Sequence, residues 1–521
     1  MHLPVRRASA ALLVLLLVAL PAAAGVEPTL QPTRDPVSQA LVAALIAGVF
    51  VLLALEKAHR VLVIASAVGF MWLVTYLTPW HLLPFDTAQN AIDLNVLVLL
   101  ASMMAVVGVL KTTGIFSYAV GKLLRLSGGR TGLIVALMIW FTGILSSVAD
   151  NVTTVIFATP MALELAARLR IRPLAILLPM VMASNIGGTA TLIGDPPNIL
   201  IGSGAGLSFM DFVLNLTAPV LLMLVILESY SSRYFAAEHA GAVQRIDPDT
   251  LTLPAIENPT LLRWGLTISG LIFLGFLTHS LTGMPASIPA AVGAAALLVA
   301  QDVLYLRTRG PSMDERIHGI LRVMQDEIEW PTLSFFALLF MAVGAAVATG
   351  LIDTVSQGLA SFIHWGAVNL DLTATGTLFF AALLVLWASG VLSALIDNIP
   401  YVAVTIPIIA TLTGQLQGDT EILWWALSLG ACLGGNGTPI GASANVTVIG
   451  LAEREGHRIS FGEFARFGAR VTVMTLAISS VFIAAHLYLG PIIAHGTMLA
   501  GLVAVFLVRA STRKARRPQA V

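Results

Sequence analysis

Long blocks of this sequence carry no charge at all, and that limits what the chain can fold into more than any other feature. No charged residue occurs from Thr131 to Ala149 or from Asn151 to Leu163, and apolar blocks recur along most of the 521 residues. A run of about 20 apolar residues is the length a helix needs to cross a bilayer. The chain is 57% hydrophobic and 11% charged, less than half the charge of a soluble domain, which is roughly 25%. An all-α polytopic membrane protein follows. A formal net charge of zero, with no basic domain and no nucleic-acid motif, points away from nucleic acid as a partner. The single cysteine, Cys432, excludes internal disulfides and a cysteine-based metal cluster.

Eleven spans are expected, at about 37–55, 61–78, 94–113, 174–203, 212–230, 262–281, 287–305, 332–352, 422–451, 467–490 and 493–508. Two re-entrant hairpins, 131–167 and 374–413, complete the set. The distribution of Lys and Arg tests this plan. With Gly25 outside, the outer loops 79–93, 204–211, 282–286, 353–373, 414–421 and 491–492 contain neither residue. Every Lys and Arg after Arg34 then falls on the cytoplasmic side, the tail Arg513-Lys514-Arg516-Arg517 included. Reading either hairpin as one full span breaks the pattern. Segments Ile115 to Leu126 and Ser356 to Val368 read as surface helices. Trp72, Trp80, Trp424 and Trp425 read as interface anchors, and His81, His279, His364 and His486 as interfacial. Arg6-Arg7, the apolar Ala10 to Leu20 and Ala22-Ala23-Ala24 read as a secretory signal peptide or a retained anchor over 1–24.

The two halves repeat. At an offset of 236, Ala101, Gly108, Thr113 and Gly114 match Ala337, Gly344, Thr349 and Gly350. At an offset of 247, Gly143, Leu145, Ser146, Asp150, Asn151, Val155 and Pro160 match Gly390, Leu392, Ser393, Asp397, Asn398, Val402 and Pro407. Thr191, Ile193, Gly194 and Asn198 match Thr438, Ile440, Gly441 and Asn445. The first copy begins on an inward-running span and the second on an outward-running one, so the repeats are expected to be inverted, as in secondary transporters. The expected organisation is a signal or anchor (1–24), N-terminal spans (25–93) and a first repeat (94–230). A cytoplasmic linker with two scaffold spans (231–331), a second repeat (332–490) and a last span with a basic tail (491–521) follow.

The chemistry collects at four places. "SSVADNVTT" and "SALIDNIPY" put an Asp-Asn pair at each hairpin tip. "SNIGGTATLIGDPPN" (184–198) and "GGNGTPIGASANVTVIG" (434–450) put glycines and prolines in the middle of a span. Such a span breaks into two half-helices whose free N–H and C=O groups face a cavity. Ionisable groups at membrane depth are costly and usually functional. Asp150 and Asp397 are expected at the ion site, where each also suits an N-cap; for Asp195, whose repeat partner is Ala442, capping or packing stands beside an ion role. A buried carboxylate takes up a proton or pairs with a cation such as sodium. Sodium at Asp150, Asn151, Asp397 and Asn398 is the metal reading, and Na+ or H+ as coupling ion is the only cofactor expected. Glu56, Glu164 and Glu463 are expected to pair with nearby arginines, and Cys432 to pack rather than ligate.

These motifs resemble the ion transporter superfamily, over about residues 37–490. "ADNVTT", "NIGGTATLIGDPPN", "SALIDNIP" and "GACLGGNGTPIGASANV" are most similar to the branch of P protein, arsenite pumps and NhaD-type antiporters. The resemblance implies a dimerising scaffold and an elevator-like transport domain. Carried over by position, it implies a site of Asp150, Asn151, Thr153, Gly194, Asp195, Asn198, Asp397, Asn398, Asn436, Thr438, Ser443 and Asn445. Dicarboxylate carriers of the family have Ser-Asn-Thr at the tips; the aspartates here depart from that and point towards cations.

The expected function is secondary transport in the inner membrane, with the mature N-terminus outside and the C-terminus cytoplasmic. Sodium/proton antiport leads, arsenite efflux is the alternative, and a citrate-like carboxylate carrier or an ion channel comes after. No HExxH or GxSxG motif supports an enzyme, and no GxxxxGK[ST] loop supports an ATP-driven pump. The resemblance to arsenite pumps leaves a separate ATPase subunit open. Expected partners are the lipid bilayer, a small inorganic ion or solute, and a second copy of the chain. A label on the first hairpin tip should be reached from the cytoplasm and one on the second from outside.

Overall fold

The computed structural model describes residues 30–55, 57–243, 255–309 and 323–515. The signal segment 1–24, Glu56, linker residues 244–254 and the tail arginines Arg516 and Arg517 lie outside the described residues. Everything described is helix or connection. The N-terminal helices are α1 (Pro36–Ala54), α2 (Arg60–Leu77) and α3 (Phe85–Ala91). The first repeat holds α4 (Leu94–Lys111), α5 (Ile115–Leu126), α6 (Thr131–Ser146), α7 (Asn151–Leu169), α8 (Leu174–Gly188), α9 (Pro196–Ala205) and α10 (Phe209–Tyr234). Next come α11 (Ala236–Gly241), α12 (Pro259–Thr282), α13 (Ser287–Arg309) and a π-turn (Val323–Glu327). The second repeat holds α14 (Trp330–Ala348), α15 (Leu351–Asn369), α16 (Ala374–Leu395), α17 (Asn398–Thr413), α18 (Ile422–Gly434), α19 (Ser443–Arg454) and α20 (Phe461–Leu489), and α21 (Pro491–Ala515) ends the chain.

Among the described residues, 11 helices are long and apolar enough to cross a membrane. Nine are expected spans; the other two are α7 and α16, one arm from each expected hairpin. The expected spans 174–203 and 422–451 are absent from that set because each is divided. The first splits into α8 and α9 across Thr189–Asp195, and the second into α18 and α19 across a 3₁₀ turn (Gly435–Gly437) and Thr438–Ala442. Glycine and proline do this as anticipated: Pro196 opens α9, where its missing N–H costs nothing.

The same contacts recur at the repeat offset. Gly114 and Gly350 both take a left-handed conformation, φ +76° and +80°, to turn the chain into α5 and α15. α6 packs on α8 as α16 packs on α18. A Cβ on Gly187 would lie 1.9 Å from the Gly143 carbonyl oxygen, and one on Gly434 would lie 2.5 Å from that of Gly390. The hairpin arms are thus pressed onto the broken spans backbone to backbone. The copies also interlock crosswise: α9 packs on α17, and α19 on α7. A second set of helices stands beside this core, with α14 against α2 and α3, and α4 against α13.

Two sequence readings are corrected. Trp424 and Trp425 are not interface anchors: they are 7% and 1% exposed, and Trp425 meets Phe212 edge-on at 5.1 Å. The helix that carries them, α18, is wrapped by α9, α16, α17 and α20, which hydropathy near a span end does not reveal. His486 is buried rather than interfacial, with Nε2 3.1 Å from Asp419 Oδ2.

Candidate functional site

Each hairpin tip ends in an aspartate that begins a helix. Asp150 precedes α7, and its Oδ1 accepts from the Thr153 N–H at 3.0 Å while Oδ2 accepts from the Thr153 hydroxyl. Asp397 precedes α17, and its Oδ1 accepts from the Ile399 N–H at 3.0 Å. Capping satisfies donors that a helix start leaves open. It uses one oxygen of each carboxylate for local structure and leaves the other to a hydroxyl: Thr153 for Asp150, and Ser443 at 3.1 Å for Asp397.

Asp195 behaves differently, and its capping alternative is overturned. It sits at the N-cap position of α9 but makes no cap bond. Its Oδ1 accepts from Asn151 Nδ2 at 3.2 Å, so the side chain turns to the first hairpin tip. Its Oδ2 meets no donor in hydrogen-bond geometry, with the Cys432 thiol beside it. The residue is 1% exposed.

Behind these groups lies a network of amides. Asn151 Nδ2 also donates to Asn185 Oδ1 at 3.2 Å. Asn185 Nδ2 donates to Asn436 Oδ1 at 3.0 Å and Asn445 Oδ1 at 3.1 Å, which ties the first broken span to the second. Asn436 Nδ2 has no partner among the described residues. Asn198 and Asn445 serve the breaks themselves. Asn198 Nδ2 donates to the carbonyls of Thr189 and Thr191, and Asn445 Nδ2 to those of Gly435 and Thr438. Thr191 and Thr438 fasten each break to the tip beside it, through the carbonyls of Ser147 at 2.6 Å and Ala394 at 2.5 Å. Gly194 is a spacer: a Cβ there would lie 2.5 Å from the Gly188 oxygen.

Six of the twelve expected residues, Asp150, Asn151, Thr153, Asp195, Asn398 and Ser443, line one cavity of about 200 Å³. Asp397 lines a neighbouring cavity of about 690 Å³ that shares Arg60, Ser443 and Thr447 with the first. Gly194, Asn198, Asn436, Thr438 and Asn445 stand in the layer that shapes the breaks. Residues of both tips, Asp150 to Thr153 and Asn398 with Ile399, thus line the smaller cavity.

Sequence reasoning missed Arg60, Glu327, Glu329, Thr332 and Asn185. Asn185 lies inside a quoted motif, but its repeat partner is Cys432, so symmetry did not select it. Cys432 is buried as expected, 3.5 Å from Asn198 Oδ1. Glu329 stands at an offset of 236 from Asp93, and both precede the first helix of their repeat; that was the available signal. Glu164 and Glu463 do pair with arginines, Arg168 at 2.6 Å and Arg172 at 2.8 Å.

Comparison with known proteins fits this geometry. A family model described as "Citrate transporter" matches residues 50–430. A protein of Mycobacterium tuberculosis described as an uncharacterized transporter is 35% identical over 441 residues, which is 83% of this chain and 95% of that protein. The P protein of Homo sapiens is 30% identical over 525 residues, covering 85% of this chain and 59% of the P protein. Among solved structures, the YdaH transporter of Alcanivorax borkumensis superposes with a TM-score of 0.54 at 18% identity, over 88% of this chain and 99% of that one, which is a likeness of fold.

Proposed function

The chain belongs to the citrate transporter family and is a membrane transporter, and from that premise we propose that it is a cation-coupled secondary carrier whose specific activity is sodium/proton antiport. One observation carries the reading. The smaller cavity is walled by four carboxylates, Asp150, Asp195, Glu327 and Glu329, and by a single basic side chain, Arg60. Glu327 is paired with Lys111 at 3.0 Å and Glu329 is exposed, so the charge left without a partner at depth is that of Asp150 and Asp195, and it is costly in low dielectric unless protons or cations neutralise it. Asp195, with no ion-pair partner among the described residues, Asp150 and, on the adjoining cavity, Asp397 are the groups that carry the exchanged ions. Sodium prefers oxygen ligands, which the Asp150 and Asp195 carboxylates, the Asn151 and Asn398 amides and the Thr153 hydroxyl supply. Protons compete for the same carboxylates, so one ion leaves as the other enters.

Alternating access is assigned to an elevator-type movement. The hairpins and broken spans form one packed set that carries the site, and α1–α4 with α12–α14 form the set beside it. The hairpins are read as re-entrant because their tips meet the breaks of the broken spans at Thr191 and Thr438. The proposed setting is the inner membrane, as a homodimer.

A carboxylate solute is the second reading, favoured by Arg60 in the wall and by the family description. Purified protein in vesicles with an imposed pH gradient separates the two. Sodium alone should collapse the gradient if the antiport reading holds. A gradient that responds only when citrate or arsenite is added, and not to sodium, would replace it with a solute carrier.

A further inference from the structure

Arg60 is the one basic residue on the wall of the carboxylate-lined cavity, and it belongs to neither repeat. It opens α2, in the helix set beside the site. Its Nη2 donates to Thr332 Oγ1 on α14 at 2.7 Å, and Thr332 in turn donates to Glu329 Oε2 at 2.7 Å. The guanidinium also lies 5.7 Å from the centre of the Phe335 ring. On its other side, Nη1 reaches Ser443 Oγ on α19 at 3.4 Å, and Ser443 donates to Asp397 Oδ2. The bonds are unequal. The 2.7 Å contact is short and strong, and the 3.4 Å contact is near the limit of a hydrogen bond. A guanidinium so held remains with α2 and α14 when it parts from α19. It is charged at every physiological pH, so it leaves Asp397 only by moving away or by being displaced.

We propose that Arg60 is a tethered counter-ion, which supplies the positive charge near Asp397 when no transported cation is bound. It is a positioning residue that acts on Asp397 through Ser443. This rests on the cation-coupled reading above and adds to it a competitor built into the protein. A cation entering beside Asp397 weakens the need for Arg60, the Ser443 contact opens, and α19 is released from α2. The unloaded carrier stays latched, which favours exchange over leak. The counterpart position in the first repeat shows why the role is specific. Asp93, which matches Glu329, bonds α9 directly through Ser203 at 2.5 Å, with no cation between.

The test uses the full chain in vesicles, with sodium as the probe and collapse of a pH gradient as the signal. Arg60→Gln should lower the half-saturating sodium concentration by about threefold or more, the direction expected when one positive charge leaves a partly wet site. Arg60→Lys, which keeps the charge, should stay near wild type. Ser443→Ala, which removes the bridge from the other side, should shift half-saturation in the same direction as Arg60→Gln and keeps the test alive if that variant does not fold. Amide exchange over 443–454 should also quicken in Arg60→Gln. Coupled flux in wild type with unchanged or raised half-saturation in Arg60→Gln overturns the assignment to Arg60 alone. No sodium-dependent flux in wild type overturns the reading on which it rests, and this proposal with it.

Discussion

Asp150 holds two roles that a single substitution can separate. Its carboxylate caps α7 through the Thr153 N–H, and it also walls the cavity. Asparagine caps a helix about as well as aspartate. Asp150→Asn should therefore fold with stability within about 0.5 kcal/mol of wild type, while sodium-driven proton flux is lost. Asp150→Ala should lose the flux and a further ~1 kcal/mol from the missing cap. Thermal unfolding in detergent beside vesicle flux reads both; undiminished coupling in Asp150→Asn removes this aspartate from the ion path. Asp195 makes the complementary case, since it has no cap bond to lose. Asp195→Asn keeps the shape and removes a buried charge that has no ion-pair partner among the described residues, so it should be neutral or stabilising. Its flux should lose its dependence on pH, because no carboxylate remains there for protons to compete at. A stable variant with the wild-type pH profile would assign coupling elsewhere. These aspartates were legible because each breaks a charge-free run. Arg60 was not, because a basic residue beside an apolar block signals only which side is inside. Its partners Thr332 and Ser443 lie 272 and 383 residues away and are set by tertiary packing.

At the scale of elements, the glycine pairs decide whether the hairpins seat. Gly187 lies so close to Gly143 that any side chain on it would strike the backbone of α6. Backbone cannot move aside as a flexible side chain can, so Gly187→Ala and Gly434→Ala should each cost about 1–3 kcal/mol or prevent folding. Gly48 in α1 and Gly270 in α12 have nothing within 4 Å of an added Cβ. Alanine there should be harmless or stabilise by about 0.5–1 kcal/mol, the helix preference of alanine over glycine. Fluorescence-detected size exclusion after heating ranks the four variants; equal loss at all four would mean that the hairpin contact is not tight in the membrane. The breaks in 174–203 and 422–451 were legible because glycines and prolines cluster there and together weaken a helix. Hydropathy alone does not separate the hairpins from spans, since one arm of each, α7 and α16, is long and apolar enough to cross. What escaped was which faces are covered. α18 is as apolar as its neighbours, and nothing in its hydropathy distinguishes a helix wrapped on four sides from one that meets lipid, so Trp424 and Trp425 were misplaced.

In the whole molecule, one cavity is lined by the tips of both hairpins, with a second beside it. The larger cavity is rimmed by Ala58, His59 and Arg454, and the smaller one by Glu327 and Glu329. In the orientation set by the distribution of Lys and Arg, all of these lie at the cytoplasmic end. Both tips should then be reached from the cytoplasm in this state. With Cys432 replaced by alanine, Val152→Cys and Ile399→Cys place one label on each tip, both on the cavity wall. A membrane-impermeant thiol reagent should modify both in inverted vesicles and neither in intact cells when no gradient is applied. Under an outward-facing bias, such as sodium supplied only outside, both should become reactive in intact cells together. Joint switching is what one moving body with one site requires. Reaction of the Val152→Cys label only from the cytoplasm and the Ile399→Cys label only from outside, under every gradient, would mean two fixed half-channels. In that case the crosswise packing of α9 on α17 and α19 on α7 holds the halves still, and the transporter works by local gating at the tips rather than by displacement of the core.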